Sequence, residues 1–318
     1  MTTDLDLLTV GRISIDLYCD QPGAGWHEAR SFHKAVGGSP TNVAVAAARL
    51  GRRAAVFTKV GADPMGEVAR VELRDFGVDD RFVGVDERLR TPLALAVLDP
   101  PADPQLLFYR EPSAPDLQLR PEDVDAGLAA AVPVLWISAS ALSAEPSAGT
   151  VEGLLAARGR RTHTILDLDY RPMFWPSREA AAARIGAAVD HATVAVGNRE
   201  ECAVATGSDE PREAARRLLA RGVAIAVVKL GGDGVLVATP GEEAVVPPVA
   251  VDVLCGLGAG DAFGGALCHA LLGGASPAEA AGFANAAGAI VASRLLCSEA
   301  MPTEREVRDV LAGREVPA

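Results

Sequence analysis

Apolar runs at residues 5–10, 54–60, 134–138, 164–168, 193–196 and 224–230 read as strands. Between them lie alanine-rich stretches with helical spacing at 40–50, 66–76, 121–130, 146–157, 178–190 and 212–221. This alternation predicts an α/β fold, a doubly wound and mainly parallel sheet with helices on both faces. A further apolar run, 245–253, reads as a strand leading into a glycine turn, and the stretch after the turn is helical to residue 272. No internal repeat or low-complexity linker interrupts the pattern, so residues 1–318 are expected to form one domain. Two segments break the winding. Residues 19–34 hold turn formers at Pro22, Gly23 and Gly25 and show no helical period. Residues 92–110 read as a hairpin: Leu93, Leu95 and Val97 alternate, a Pro-Pro-Ala-Asp-Pro turn follows, and 106–109 return.

Hydrophobic residues make up 49% of the chain, ample for a sheet buried on both faces. The formal charge of −12 argues against nucleic acid or an anionic membrane surface as a partner. Any anionic ligand must therefore meet a local cationic patch. Lysine occurs only at Lys34, Lys59 and Lys229, so arginine carries nearly all the positive charge. The acidic start lacks the basic region and apolar core of a signal peptide, and no apolar run approaches a membrane span. The five cysteines are odd in number and lack metal-type spacing. A cytoplasmic protein with reduced thiols is expected.

The segment Gly258-Ala259-Gly260-Asp261 says most about chemistry. Its small residues let the backbone approach a ligand, and amides in a first helical turn have no intrahelical partner. The helix dipole adds positive potential there, which suits a phosphate. A carboxylate among anion-binding amides makes sense if it must take a proton from a hydroxyl attacking that phosphate. The plainer reading is a tight strand-to-helix turn with Asp261 as an N-terminal helix charge. A second segment, Gly37-Gly38-Ser39-Pro40-Thr41-Asn42, precedes a small-residue helix, with Gly51 and Gly61 beyond it. Asp16 lies just past the first strand, where a carboxylate at the end of a parallel strand faces the ligand crevice.

Together the two glycine segments resemble the signatures of the ribokinase-like (PfkB) family of carbohydrate kinases, and the resemblance extends over essentially the whole chain. It implies phosphorylation of a primary hydroxyl on a small sugar or sugar acid, with ATP as donor and Mg²⁺ as its companion. Asp261 would be the base, and Gly258, Ala259 and Gly260 the anion hole. Asp16, Gly37, Gly38 and Asn42 would contact the sugar. Asn198 and Glu201, in the family's Asn-x-x-Glu motif, would organise Mg²⁺ through water, although Asn198 also suits a helix cap. Lys229, Gly231, Gly234 and Asn285, with Asn198, Gly258 and Gly260, would hold the nucleotide. Segments 17–36 and 91–112 would form a small β lid over the sugar, with a homodimer formed through it. Many members carry Asp-Thr-Thr before the Gly-Ala-Gly-Asp turn; Cys255-Gly256-Leu257 stands there instead, which leaves a K⁺ requirement open.

Asp167-Leu168-Asp169-Tyr170-Arg171-Pro172 looks like the Asp-x-Asn-x-Arg-Pro segment of kinases acting on keto-deoxy sugar acids, with Asp169 in place of asparagine. Arg171 is a candidate for the transferred phosphoryl group or a substrate carboxylate, because arginine offers a fixed fork of donors. A salt bridge from Arg171 to Asp167 or Asp169 is the competing reading. Arg110 and Asp169 join Arg171 as candidate substrate contacts. Arg12, Lys34, Arg110 and Arg171 all fall near the expected crevice, which is consistent with an anionic substrate. The resemblance favours a keto sugar acid of myo-inositol breakdown, ahead of other keto-deoxy sugar acids and of neutral sugars such as fructose or ribose. The glycine turn could also be a dinucleotide fingerprint, but a helical segment follows where the acid-bearing second strand should be. No GxxxxGK[ST] loop is present. A non-catalytic sugar-binding regulator would not need Asp261.

Overall fold

The structure, a computed structural model, describes residues 4–21, 23–101, 103–161 and 163–314. Pro22 and Ala102 of the two turn readings lie outside the described residues. In chain order the strands are β1 (Leu7–Val10), β2 (Ser14–Cys19), β3 (Phe32–Gly37), β4 (Ala54–Gly61), β5 (Val83–Asp86), β6 (Leu93–Val97) and β7 (Gln105–Tyr109). There follow β8 (Val134–Ser138), β9 (Thr164–Asp167), β10 (Val194–Asn198), β11 (Ile225–Lys229), β12 (Val235–Ala238) and β13 (Glu243–Val246).

A nine-stranded sheet runs β13-β12-β11-β10-β9-β8-β1-β4-β5. Its pairs from β5 to β11 are parallel, and β12 and β13 close one edge antiparallel. Every residue of β4 and β8 is buried, as expected of strands covered on both faces. Consecutive residues of β1 enter different layers: Leu7 joins Val43, Trp136 and Phe263, while Leu8 joins Phe57, Leu135 and Leu166. The doubly wound sheet expected from the alternating pattern is thus present.

The two segments outside that pattern build a separate four-stranded sheet, β3-β2-β6-β7. Its β2–β6 pair is parallel and the others antiparallel. No helix among the described residues is long and apolar enough to cross a membrane.

Three expectations need correction. The strand expected at 245–253 stops at Val246, because Pro247 and Pro248 have no N–H to donate to a ladder. The helix expected at 121–130 is a short 3₁₀ turn at Pro121–Asp123 and then a helix at Ala126–Ala131. Asp125 separates them, accepting from the Gly127 amide at 2.8 Å as the second helix's N-cap. Asp16 sits in the middle of β2, on the small sheet, and not at the end of the first core strand.

Candidate active site

The parallel strands β9, β10 and β11 end in Asp167, Asn198 and Lys229, and all three line a polar cleft. The inner face of the small sheet forms the opposite wall through Asp16, Tyr18, Leu106 and Phe108. A second, more apolar cavity adjoins it and shares Lys229, Gly256 and Gly260. The cleft holds about 250 Å³ and the second cavity about 560 Å³, so the second has the room for a nucleotide.

Asp261 stands at their junction, in the first turn of the helix Ala259–Leu272. Gly258 precedes that helix with φ +80°, a left-handed conformation that suits glycine, and a Cβ there would lie 2.7 Å from Cys297 Sγ. Asn42 Nδ2 donates to Asp261 Oδ2 at 2.9 Å. Burial pushes the Asp261 carboxyl up, hydrogen bonds from Asn42 and Ser39 oppose this, and Asp169 adds repulsion; the net direction is upward. Asn42 is buried and does not cap its own helix, whose N-cap is Gly38. Its Oδ1 has no hydrogen-bond partner among the described residues, leaving a buried acceptor facing the cleft beside Asp261.

Asp16 accepts from Ser14 Oγ at 2.6 Å and from Tyr18 Oη at 3.2 Å, and burial raises its carboxyl to about 6. Its carboxylate fills the space a side chain on Gly37 would take; a Cβ there would overlap it. Gly38, at φ +97°, presses on the Arg12 carbonyl in the same way. The two glycines therefore seat Asp16 and the turn at Arg12, and of the pair only Gly38 lines the cleft.

The four expected cations separate. Lys34 pairs with Glu72, away from the cleft. Arg110 gives both arms to the fully buried Asp116, at 2.6 and 3.5 Å, over the ring of Phe174, and does not line the cleft. It is spent on an ion pair because Asp116, which also accepts from the Ile13 amide, would otherwise be a buried unpaired charge. Arg171 lines the cleft with Nε 3.2 Å from Asp169 Oδ1, the salt bridge that the sequence left as an alternative. Arg12 lines it too, 2.7 Å from Asp169 Oδ2. Burial alone would raise the Asp169 carboxyl, but the two arginines hold it well below the usual range.

Lys229 is half-buried beside Gly260. Burial opposes its charge, yet Glu201, Asp167 and Asp261 outweigh that and keep it an ammonium. Asn198 and Glu201 form a reciprocal capping box, with Glu201 N to Asn198 Oδ1 at 2.9 Å and Asn198 N to Glu201 Oε2 at 2.6 Å. No group of three or more metal-type ligands occurs among the described residues. The buried acids Asp167 and Glu201 and the half-buried Asp261 nevertheless crowd one ammonium, a donor set that fits a hydrated dication held mainly by phosphates. In the second cavity Gly231 and Gly234 face Asn285, whose Nδ2 holds the Pro247 carbonyl at 2.7 Å.

Among the residues that line the cleft, sequence reasoning gave Asp167, Tyr18 and Cys297 no place in the site. Asp167 ends a parallel strand, a position that the crevice rule singles out. Tyr18 is two residues from Asp16 and so on the same face of β2. Cys297, which accepts from Tyr18 Oη at 2.7 Å, carried no local signal.

A family model described as pfkB family carbohydrate kinase matches residues 4–304. The 5-dehydro-2-deoxygluconokinase of Shouchella clausii (strain KSM-K16) is 33% identical over 316 residues, covering 98% of this chain and 97% of that one. The enzyme of that name from Listeria monocytogenes serotype 4b (strain CLIP80459) is 33% identical with the same coverage. Among solved structures, the fructokinase of Vibrio cholerae O395 in a form bound to fructose, ADP and calcium ion is 28% identical, with a TM-score of 0.86 over 97% of this chain and 100% of that one. A putative ribokinase II from E. coli shares the fold at 21% identity, with a TM-score of 0.88 over 98% of this chain and 100% of that one.

Proposed function

We propose, since the chain belongs to the pfkB family of carbohydrate kinases and is an ATP-dependent sugar kinase, that its acceptor is a keto-deoxy sugar acid, 5-dehydro-2-deoxy-D-gluconate. The product would be the 6-phosphate, formed in myo-inositol breakdown, with residues 1–318 acting as a single kinase domain in the cytoplasm. The observation that carries the mechanism is Asp261 at the junction of the two cavities, in a helix's first turn and hydrogen-bonded to Asn42.

Asp261 takes the proton of the terminal hydroxyl as its oxygen bonds to the γ-phosphorus and the bond to the ADP oxygen breaks. The amides of 258–261 at the helix start face the charge on the transferring group. Mg²⁺ bound with ATP supplies charge neutralisation, and Asn198 and Glu201 would hold its waters. The nucleotide lies against Gly231, Gly234 and Asn285, with Lys229 at the phosphate end. Asp16 and the free Oδ1 of Asn42 accept hydrogen bonds from and donate none to the sugar hydroxyls, and the lid sheet excludes water.

An ADP-release assay with Mg·ATP tests the acceptor. A kcat/KM for 5-dehydro-2-deoxygluconate well above those for 2-keto-3-deoxygluconate, fructose and ribose supports the reading. The likeness to a fructokinase favours a neutral hexose as the competing acceptor, and a preference for fructose would replace the acid with it. The outer face of β7 leaves Leu107 and Tyr109 exposed and fits a second copy of the chain. Sedimentation should then show a dimer; a 32.8 kDa species alone at micromolar concentration would remove that pairing.

A further inference from the structure

Arg12 closes the turn between β1 and β2 and lines the cleft although its side chain is only 7% exposed. Its Nη2 donates to Asp169 Oδ2 at 2.7 Å and its Nε to Ser140 Oγ at 2.9 Å. Ser138 Oγ donates to the same Asp169 oxygen at 2.9 Å, and the two serine hydroxyls lie 2.7 Å apart in a shared hydrogen bond. Ser138, Ser140 and Asp169 are themselves buried, so the guanidinium is fixed from behind. The Phe174 ring lies 5.3 Å from its central carbon.

A guanidinium has five N–H donors. Two of Arg12's are taken among the described residues, which leaves both donors of Nη1 and the second of Nη2 without a protein acceptor. A buried charged fork with donors to spare is costly unless something else completes it. Its neighbours do not offer the same geometry. Arg110 is committed on both arms to Asp116, and Arg171 is 41% exposed and tied to the other oxygen of Asp169.

We infer that Arg12 is the specificity-determining contact, receiving the substrate's carboxylate on its Nη1–Nη2 edge while Asp169, Ser138 and Ser140 hold it in place. Arg12 and Asp261 line the same cleft, so a linear acid with its terminal hydroxyl at Asp261 would extend its carboxylate along that cleft to the Arg12 fork. The inference rests on the sugar-acid reading above. It goes further by naming the residue that separates an acid from a neutral sugar.

The test compares 5-dehydro-2-deoxygluconate with its C1 amide, which keeps the shape and removes the charge, in the full-length wild type and in Arg12→Gln. The expected result is a KM for the acid raised roughly 10- to 100-fold, the range for losing a charged hydrogen-bond pair. KM for ATP should stay within about twofold of wild type, and kcat/KM on the amide should fall much less than on the acid, since the amide carries no charge for the fork to meet. Arg12→Lys keeps the charge and loses the fork; it should recover only part of the acid preference, and it carries the test if the glutamine variant does not fold. Equal losses on acid and amide, or unchanged acid kinetics, would overturn Arg12's role while leaving the acid substrate standing. A wild type that treats acid and amide alike would overturn the acid reading itself, and this inference with it.

Discussion

In the proposed mechanism Asp261 is a base near neutral pH, and its surroundings suit that task. Burial and the nearby Asp169 raise its carboxyl despite the Asn42 and Ser39 hydrogen bonds, which brings its basicity toward the working pH. Asp16 is raised as well, to about 6. In the proposed mechanism both act as carboxylates, so activity should be lost as pH falls through their raised values. The acid limb of kcat/KM should therefore lie above pH 4, and Asp16→Asn should move what remains of it. A limb at the ordinary carboxylate value in wild type would contradict the geometry. Gly37→Ala should displace Asp16, raising KM for the sugar more than about tenfold and leaving KM for ATP unchanged; equal effects on both would show a general distortion. Asp261 was legible because a glycine turn marks where the backbone must bend, and Asn42 only through the family resemblance. Tyr18 and Cys297 meet across 279 residues, a contact that no local pattern encodes.

The helix Ala259–Leu272 shows how an element serves two ends at once. Its first turn supplies the site, while further along Gly264 and Gly265 let it press against Trp136 and the helix Ser39–Arg49. A Cβ on Gly264 would come 2.6 Å from Trp136, and one on Gly265 would overlap Ala46. Gly265→Val should therefore cost about 1–3 kcal/mol by overpacking and lower Tm by several degrees. An unchanged Tm would mean that the helix pair gives way. At this scale the alternating strands and helices were readable because buried parallel strands are continuous apolar runs. Apolarity alone misled at 245–253, where two prolines forbid a ladder and leave an extended loop lining the second cavity. The strands β5 and β12 did not stand out, because Gly84 and Asp86 interrupt the apolar run of β5 and β12 follows directly on the 231–234 glycine turn.

On the scale of the molecule, the small sheet and the strand ends of the large one enclose the cleft, and the loop after Val246 walls the adjoining cavity. The Gly256 amide donates to the Pro101 carbonyl at 3.0 Å, tying the β6–β7 hairpin to the loop before the helix. Asp16 reaches the cleft from the small sheet, so its place depended on the packing of two sheets and not on the end of the first strand. The arginines were legible as cations near a crevice; which of them stays available was not, because Asp116 and Asp169 decide it from distant parts of the chain.

The proposed mechanism turns on a proton passing to Asp261, and the turnover of Asp261→Asn at saturating Mg·ATP and the proposed sugar acid tests that most directly. Nucleotide affinity is measured on the same sample. We expect kcat to fall by about 10²–10⁴ with ATP affinity held within about twofold. Turnover within about tenfold of wild type would contradict the proposed base.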